Sequence, residues 1–267
     1  MTDPLFALTP ILVTFCVALG LLLGSFLNVV IHRVPAGLSV ITPRSSCPTC
    51  FTQIRSRDNI PVFSWILLRG RCRDCSAPIS TRYPTVELVT AVLFGLLAWW
   101  FGFVGVLPIL LYLAAIGVAL FMIDLDHQRL PDAIVLPAYG AVVAGLVLAG
   151  LIDGDWPWIR SLASAAIWFF MFAIPWFATA GRGMGFGDVK LAPLLGAVLG
   201  WLGWGASLVG LMAGFFFGAV VGVLLIAAAK AGRKSRVPYG PFMLIGAFFG
   251  ALTGNTLAVA YLRFFGL

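Results

Sequence analysis

Long uncharged, apolar runs alternate with short polar breaks along this chain. Six stretches contain no Asp, Glu, Lys or Arg: residues 4–31, 88–123, 133–152, 161–181, 191–229 and 237–262. A helix that crosses a bilayer needs about 20 apolar residues. The runs 88–123 and 191–229 hold 36 and 39 residues, and a single helix over either would exceed about 50 Å at about 1.5 Å per residue. Each is therefore expected to be two spans, bent at Phe101-Gly102-Phe103-Val104-Gly105 before Pro108, and at Gly200-Trp201-Leu202-Gly203-Trp204-Gly205. The pattern predicts an all-α polytopic membrane protein of about eight transmembrane helices, with both termini on the same side.

Composition removes the alternatives. Of 267 residues, 61% are hydrophobic and 10% charged, far below the roughly 25% charged residues of an average soluble protein. A water-soluble globule and a disordered chain are both excluded. The net charge of +7 would suggest nucleic acid in a soluble chain, but its location gives it another meaning. Residues 33–83 hold eight arginines, followed on alternate loops by Arg129, by Arg182 and Lys190, and by Lys230, Arg233, Lys234 and Arg236. Only Arg160 and Arg263 remain for the other face. The positive-inside rule then puts these loops in the cytoplasm and both termini outside it, with the lipid bilayer as partner and no nucleic acid implied. The first apolar run lacks a basic leader and a small-residue cleavage site, so it reads as a retained helix, not as a secretory signal.

The only long polar segment lies between the first and second spans. The chain divides into a first helix (1–32), a cytoplasmic insert (33–83) and a seven-helix remainder (84–267). The insert carries Cys47-Pro-Thr-Cys50 and Cys72-Arg-Asp-Cys75. Four thiolates close a tetrahedral zinc site, each pair chelating from one tight turn, and such a staple holds a segment with little core of its own. The competing reading is disulfides or redox dithiols. A reducing cytoplasm disfavours stable disulfides, and a redox motif needs only one pair. Cys16, inside the first span, reads as lipid-facing or packing material.

Acidic residues are scarce enough to be informative. Asp124, Asp126 and Asp132 fall in Ile123-Asp124-Leu125-Asp126-His127-Gln128-Arg129-Leu130-Pro131-Asp132, and Asp188 falls in Gly183-Met184-Gly185-Phe186-Gly187-Asp188-Val189-Lys190. Both groups adjoin the expected cytoplasmic ends of apolar runs, where ionisable side chains are costly and mark function. Asp124 should project at or just inside the interface. Asp188 follows three glycines in five residues, which permit close backbone approach. Two carboxylates converging in a partly dry site share one proton, as in aspartic proteases. Asp132 also reads as a helix N-cap or dipole partner, Asp188 partly so, and Asp126 and His127 as solvated turn residues. On spacing alone, peptidase and proton- or cation-coupled transporter stay equally open; no inverted repeat is apparent, which disfavours transport.

Five blocks in order carry a resemblance: Gly24-Ser25-Phe26-Leu27-Asn28-Val29-Val30-Ile31-His32-Arg33, the paired cysteines, Arg82-Tyr83-Pro84-Thr85-Val86-Glu87-Leu88, and the two aspartate segments. Together they resemble the type IV prepilin leader peptidase and N-methyltransferase family of pilus and type II secretion systems, whose GxGD signature is shared with other membrane aspartyl proteases. The resemblance implies a bacterial inner-membrane enzyme whose catalytic pair is Asp124 and Asp188, with Gly185, Gly187 and Lys190 in the active-site loop. It implies cleavage of type IV prepilins or pseudopilins on the cytoplasmic side, after the Gly that ends a basic leader. N-methylation with S-adenosylmethionine would follow. The family places methylation with the insert. Candidates there are Gly70, open to close backbone approach, and Glu87, the only Glu in the chain, which would orient the amine. Otherwise Gly70 is a turn residue and Glu87 an ion-pair partner of Arg82 or Arg33. A monofunctional peptidase is the remaining alternative. Asn28, polar within an apolar helix, is expected to bond a neighbouring helix or substrate backbone.

Overall fold

A computed structural model describes residues 4–182, 184–228 and 238–266, with side chains from residue 8. Gly183 of the glycine loop and the basic residues Lys230, Arg233, Lys234 and Arg236 lie outside the described residues. Nine α-helices are present among those described: α1 (Pro4–Arg33), α2 (Phe63–Leu67), α3 (Arg82–Phe101), α4 (Leu107–His127), α5 (Asp132–Asp153), α6 (Trp158–Ala178), α7 (Phe186–Leu202), α8 (Trp204–Ala227) and α9 (Gly240–Phe264). All but α2 are long. Seven of them have the length and apolarity to cross a membrane; α7, with 17 residues, sits at the lower limit for a span. Both expected bends are found. Gly102 closes α3 at φ +62°, and Gly203 alone separates α7 from α8.

The chain forms two compact units, Met1–Ala119 and Leu120–Leu267. In the first, α1 packs along α3 through glycine. A Cβ on Gly20 would stand 2.7 Å from Ala91 Cα, and one on Gly24 2.7 Å from Glu87 Cα. Such backbone approach is how helices gain contact where lipid removes the hydrophobic drive. Cys16 is buried in α1 and so belongs to the packing. Asn28 donates to Gly24 O and to Tyr83 O, 3.2 Å each, which satisfies the helix-bonding expectation.

The insert between α1 and α3 has almost no regular structure. Arg33 anchors its start, donating to Ser39 O at 2.9 Å and Pro43 O at 2.7 Å. Its two halves are tied by Arg73 to Asp58 (2.6 Å) and Arg55 to Asp74 (3.3 Å). The Arg73 guanidinium holds the Asp58 carboxyl below the usual carboxylate range.

In the second unit α7 packs against α5, α6, α8 and α9. Its C-terminal carbonyls, which a helix leaves unpaired, are taken by Arg160 (to Gly200 O and Trp201 O, 2.6 Å each) and by Asn255 (to Leu202 O, 3.0 Å). The α8/α9 contact is the tightest. A Cβ on Gly246 would lie 2.4 Å from Gly214 N, and one on Gly250 2.4 Å from Ala206 O. Between α6 and α8, Ser164 and Ser207 share a short hydrogen bond and Trp168 Nε1 donates to Ser207 Oγ at 3.1 Å.

Candidate active site

Asp124 lies in the last turn of α4 and Asp188 in the first turn of α7. Both are buried, with 5% and 6% exposure. Three glycines make that possible. A Cβ on Gly240 would stand 2.8 Å from Asp124 Oδ2, so only glycine lets α9 begin against this carboxyl. A Cβ on Gly187 would lie 2.9 Å from Leu130 Cβ, and Leu130 also borders Gly240. Gly185 is the N-cap of α7, with its Cβ direction 3.4 Å from Asp188 Oδ2. Leu130 thus wedges the start of α7 beside the start of α9.

The polar surroundings are sparse. The Gly240 N–H faces the Asp124 carboxyl and the Gly185 N–H faces that of Asp188, while the two carboxyls are near enough to act on each other's charge. Asp124 Oδ2 and the Tyr239 hydroxyl are buried without a hydrogen-bond partner among the described residues. Two acids in such a place ionise together only at high cost. The arrangement suits a group that activates water beside a group that polarises a carbonyl.

The other acids sort differently. Asp126 and His127 are exposed. Asp132 is the first residue of α5, whose N-cap is Pro131, and no side chain caps it. The N-cap expectation for Asp132 is therefore corrected: it acts from the first turn, beside the helix dipole, and pairs with Lys190. Lys190 also lies 5.0 Å over the Phe186 ring, and its carbonyl accepts the Tyr139 hydroxyl at 2.7 Å. These contacts tie α5 to α7 and hold the turn that carries Asp188.

The four insert cysteines converge within the first unit. Their Sγ atoms all lie within 4.8 Å of one another, with Cys47 and Cys75 at 3.8 Å. A tetrahedral site with metal–sulfur bonds near 2.3 Å places its sulfurs about 3.8 Å apart, so the donor set fits such a metal, and none is disulfide-bonded. The two turns repeat one another. Cys47 N donates to Thr52 O and Phe51 N to Cys47 O; Cys72 N donates to Ala77 O and Ser76 N to Cys72 O. Phe51 and Ser76 both have φ +58°. Backbone N–H groups of Cys50 and Thr49 pull the Cys47 thiol down to about 6, favouring the thiolate a metal requires.

Beside the cysteines lies a cavity of about 730 Å³, lined among others by Asn28, His32, Cys47, Trp65, Tyr83 and Glu87. Glu87 is buried and its Oε2 accepts the Val62 N–H at 2.6 Å. Val62 has φ +60° and ψ −49°, and Phe63 N bonds Pro61 O at 2.6 Å. This is the rare positive-φ γ-turn, strained for a β-branched residue. Arg33, offered by the sequence as an ion-pair partner for Glu87, is instead spent on loop carbonyls. Gly70, at φ +65°, packs on Trp65: a Cβ there would meet Cζ2 at 2.9 Å. Trp65 in turn donates to Ile79 O at 3.1 Å.

Residues 18–101 match the Bacterial Peptidase A24 N-terminal domain, and residues 111–227 match the Type IV leader peptidase family. A prepilin leader peptidase/N-methyltransferase of Stutzerimonas stutzeri is 36% identical over 97% of this chain and 96% of that protein. The chain belongs to the type IV leader peptidase family. A protein of the same name from Pseudomonas aeruginosa is 35% identical over 96% of both chains, and one from Myxococcus xanthus is 41% identical over 85% of this chain and 67% of its own. No solved structure matches. Nothing in the carboxylate spacing of this leader peptidase family member points to Tyr239 and Gly240. Their one local signal is Pro238-Tyr239-Gly240-Pro241, a glycine between prolines where the last apolar run begins.

Proposed function

We propose that this chain is a prepilin leader peptidase of the bacterial inner membrane that also N-methylates its product. The observation that carries the peptidase reading is the pair of buried carboxyls, Asp124 and Asp188, brought from two helices into one site. The ionised member takes a proton from water as the water oxygen attacks the scissile carbonyl carbon. The protonated member donates a hydrogen bond to the carbonyl oxygen, which becomes the oxyanion of the tetrahedral intermediate. Collapse of the tetrahedral intermediate breaks the C–N bond, and the carboxyl that took the proton from water gives it to the leaving amine. The cut falls on the cytoplasmic side, after the Gly that ends a basic leader, in type IV prepilins or pseudopilins. Fifteen of 17 Lys and Arg on the corresponding loops support that side, with both termini outside. Gly185 and Gly187 let α7 bring Asp188 to the bond, and Lys190 holds the turn.

Methylation we assign to the first unit, with residues 33–83 as its cytoplasmic part and 84–267 holding the peptidase helices. Bound S-adenosylmethionine supplies an electrophilic methyl group. The cavity beside the cysteines has the size of a small-molecule site, and Glu87 faces it to accept an N–H of the new N-terminal amine, orient it and take the proton that the nitrogen loses as it is methylated. Gly70 acts by seating Trp65 in the wall. Cys47, Cys50, Cys72 and Cys75 would hold Zn2+ and fasten the two halves of the insert; tetrahedral thiolate spacing and the absence of a redox requirement support zinc.

Incubating the purified, detergent-solubilised protein with a prepilin, with and without S-adenosylmethionine, tests the reading by product mass. Loss of the leader in both reactions and a methyl increment only with S-adenosylmethionine are expected. Leader loss without the increment would leave a monofunctional peptidase. An unchanged substrate would refute the proposal.

A further inference from the structure

Among the described residues, two buried side-chain polar atoms lack a hydrogen-bond partner: Asp124 Oδ2 and the hydroxyl of Tyr239, the residue before the glycine that abuts Asp124. Asp124 is accounted for by catalysis. Tyr239 is not. Buried hydroxyls are nearly always bonded, so an orphan of this kind calls for a partner that arrives from outside.

The tyrosine ring is held from several sides. Its centroid lies 5.5 Å from that of Phe172, 5.6 Å from Phe215 and 6.3 Å from Phe242. Its Cε2 rests 3.2 Å from where a Cβ of Gly218 would stand, and its hydroxyl 3.6 Å from the corresponding point at Gly214. Phenylalanine would satisfy this aromatic packing equally well. The hydroxyl is therefore the part without a packing explanation. Its placement is specific: Tyr239 directly precedes Gly240, whose N–H faces Asp124, and it lies within electrostatic range of Asp188. A fixed O–H within electrostatic range of the Asp188 carboxyl, on the residue before the glycine that abuts Asp124, is suited to an oxygen that gains negative charge during reaction.

We propose that the Tyr239 hydroxyl is a catalytic hydrogen-bond donor to the scissile carbonyl oxygen, strengthening its bond as that oxygen becomes the tetrahedral oxyanion. The inference rests on the peptidase reading of Asp124 and Asp188. Electrons of the carbonyl π bond move to oxygen as water adds to carbon. The tyrosine keeps its proton throughout and donates across the hydrogen bond, while proton transfers remain with the aspartates. Because the donor is already oriented by the surrounding rings, no reorganisation accompanies the charge.

The test is Tyr239→Phe, which removes one oxygen and preserves the ring. The expected kcat for leader cleavage falls about 100-fold, the loss typical of one oxyanion donor, with KM within about two-fold. Affinity for a peptide carrying a hydroxyethylene isostere at the scissile bond falls in parallel with kcat/KM, as expected for a transition-state contact. Methylation of a peptide that already has its free N-terminal residue proceeds unchanged. A kcat within about three-fold of the parent enzyme, or a loss carried wholly by KM, would overturn the proposal. Should Tyr239→Phe fail to fold, replacement by a ring-fluorinated tyrosine keeps shape and hydroxyl while making it more acidic. A new alkaline limb in the kcat profile is then expected, and an unchanged profile overturns the inference. Asp124→Asn and Asp188→Asn are run alongside. If both still cleave, the aspartate reading itself is wrong; if both are inactive and Tyr239→Phe is silent, only the tyrosine proposal fails.

Discussion

Each unit of the molecule buries carboxyl groups, but on opposite terms. In the first, Glu87 accepts a backbone N–H from Val62 at 2.6 Å. In the second, Asp124 has one buried oxygen without a hydrogen-bond partner among the described residues, and Asp188 stands near enough for the two carboxyls to act on each other's charge. We propose that the satisfied carboxylate serves to bind the amine, and the unsatisfied pair to hold and release a proton. The scaffolds differ in the same sense. The first site is made largely by loops, thiols and arginine-to-carbonyl bonds within the segment that joins α1 to α3. The second is made by glycine-lined helix contacts that join distant segments.

The sharpest way to break this contrast is at the reactive pair. Asp124→Asn or Asp188→Asn is expected to reduce leader cleavage by at least about 1,000-fold, in line with loss of one half of a unit that works together. Both variants should still methylate a precleaved peptide, measured by mass. Failure of methylation in both would merge the two sites functionally and undo the comparison.

Next in size is the metal. The parent protein should carry one zinc per chain by elemental analysis. Cys72→Ser should lose it and lower methyl transfer by about ten-fold or more, the scale on which metal-site changes act. A metal-free preparation with full methylation would remove the thiol cluster from the account of the first site.

The glycine contacts of the second unit come third. Gly250→Ala forces a Cβ to within 2.4 Å of the Ala206 carbonyl oxygen, and overpacking of this kind costs about 1–3 kcal/mol. A lower thermal midpoint with reduced cleavage is expected, because α9 carries Gly240 to Asp124. Smaller again is Val62→Gly. Releasing a β-branched residue from positive φ should stabilise the first unit by about 1 kcal/mol. An unchanged midpoint would mean that the turn is not strained. Lys190→Ala comes last. Its pair with Asp132 is partly exposed, where such bridges contribute at most about 1 kcal/mol, so cleavage should fall only a few-fold.

Much of this was legible in the linear pattern. The bends at Gly102 and Gly203 follow from runs too long for one span and from residues that tolerate the required backbone. The two CxxC turns repeat because a chelating pair needs only its own turn. Asp124 and Asp188 stood out since charges are few at the edges of apolar runs. Other features had no such signal. Asp132 looked like a cap, yet its partner Lys190 is 58 residues away. Gly70 looked open to a ligand, yet it is packed on Trp65.

By itself, then, the order of residues determined what local chemistry can settle: the helices, their breaks, the side bearing most positive charge, the thiol turns and the scarce acids. Tertiary structure alone decided which of those acids meet. In lipid the helices gain little from burying apolar surface against each other, so small-residue contacts choose the neighbours. Those contacts are scattered along α1, α3, α8 and α9 and have meaning only in pairs. They set Gly24 against Glu87 and Gly240 against Asp124, positions that no spacing along the chain could reveal.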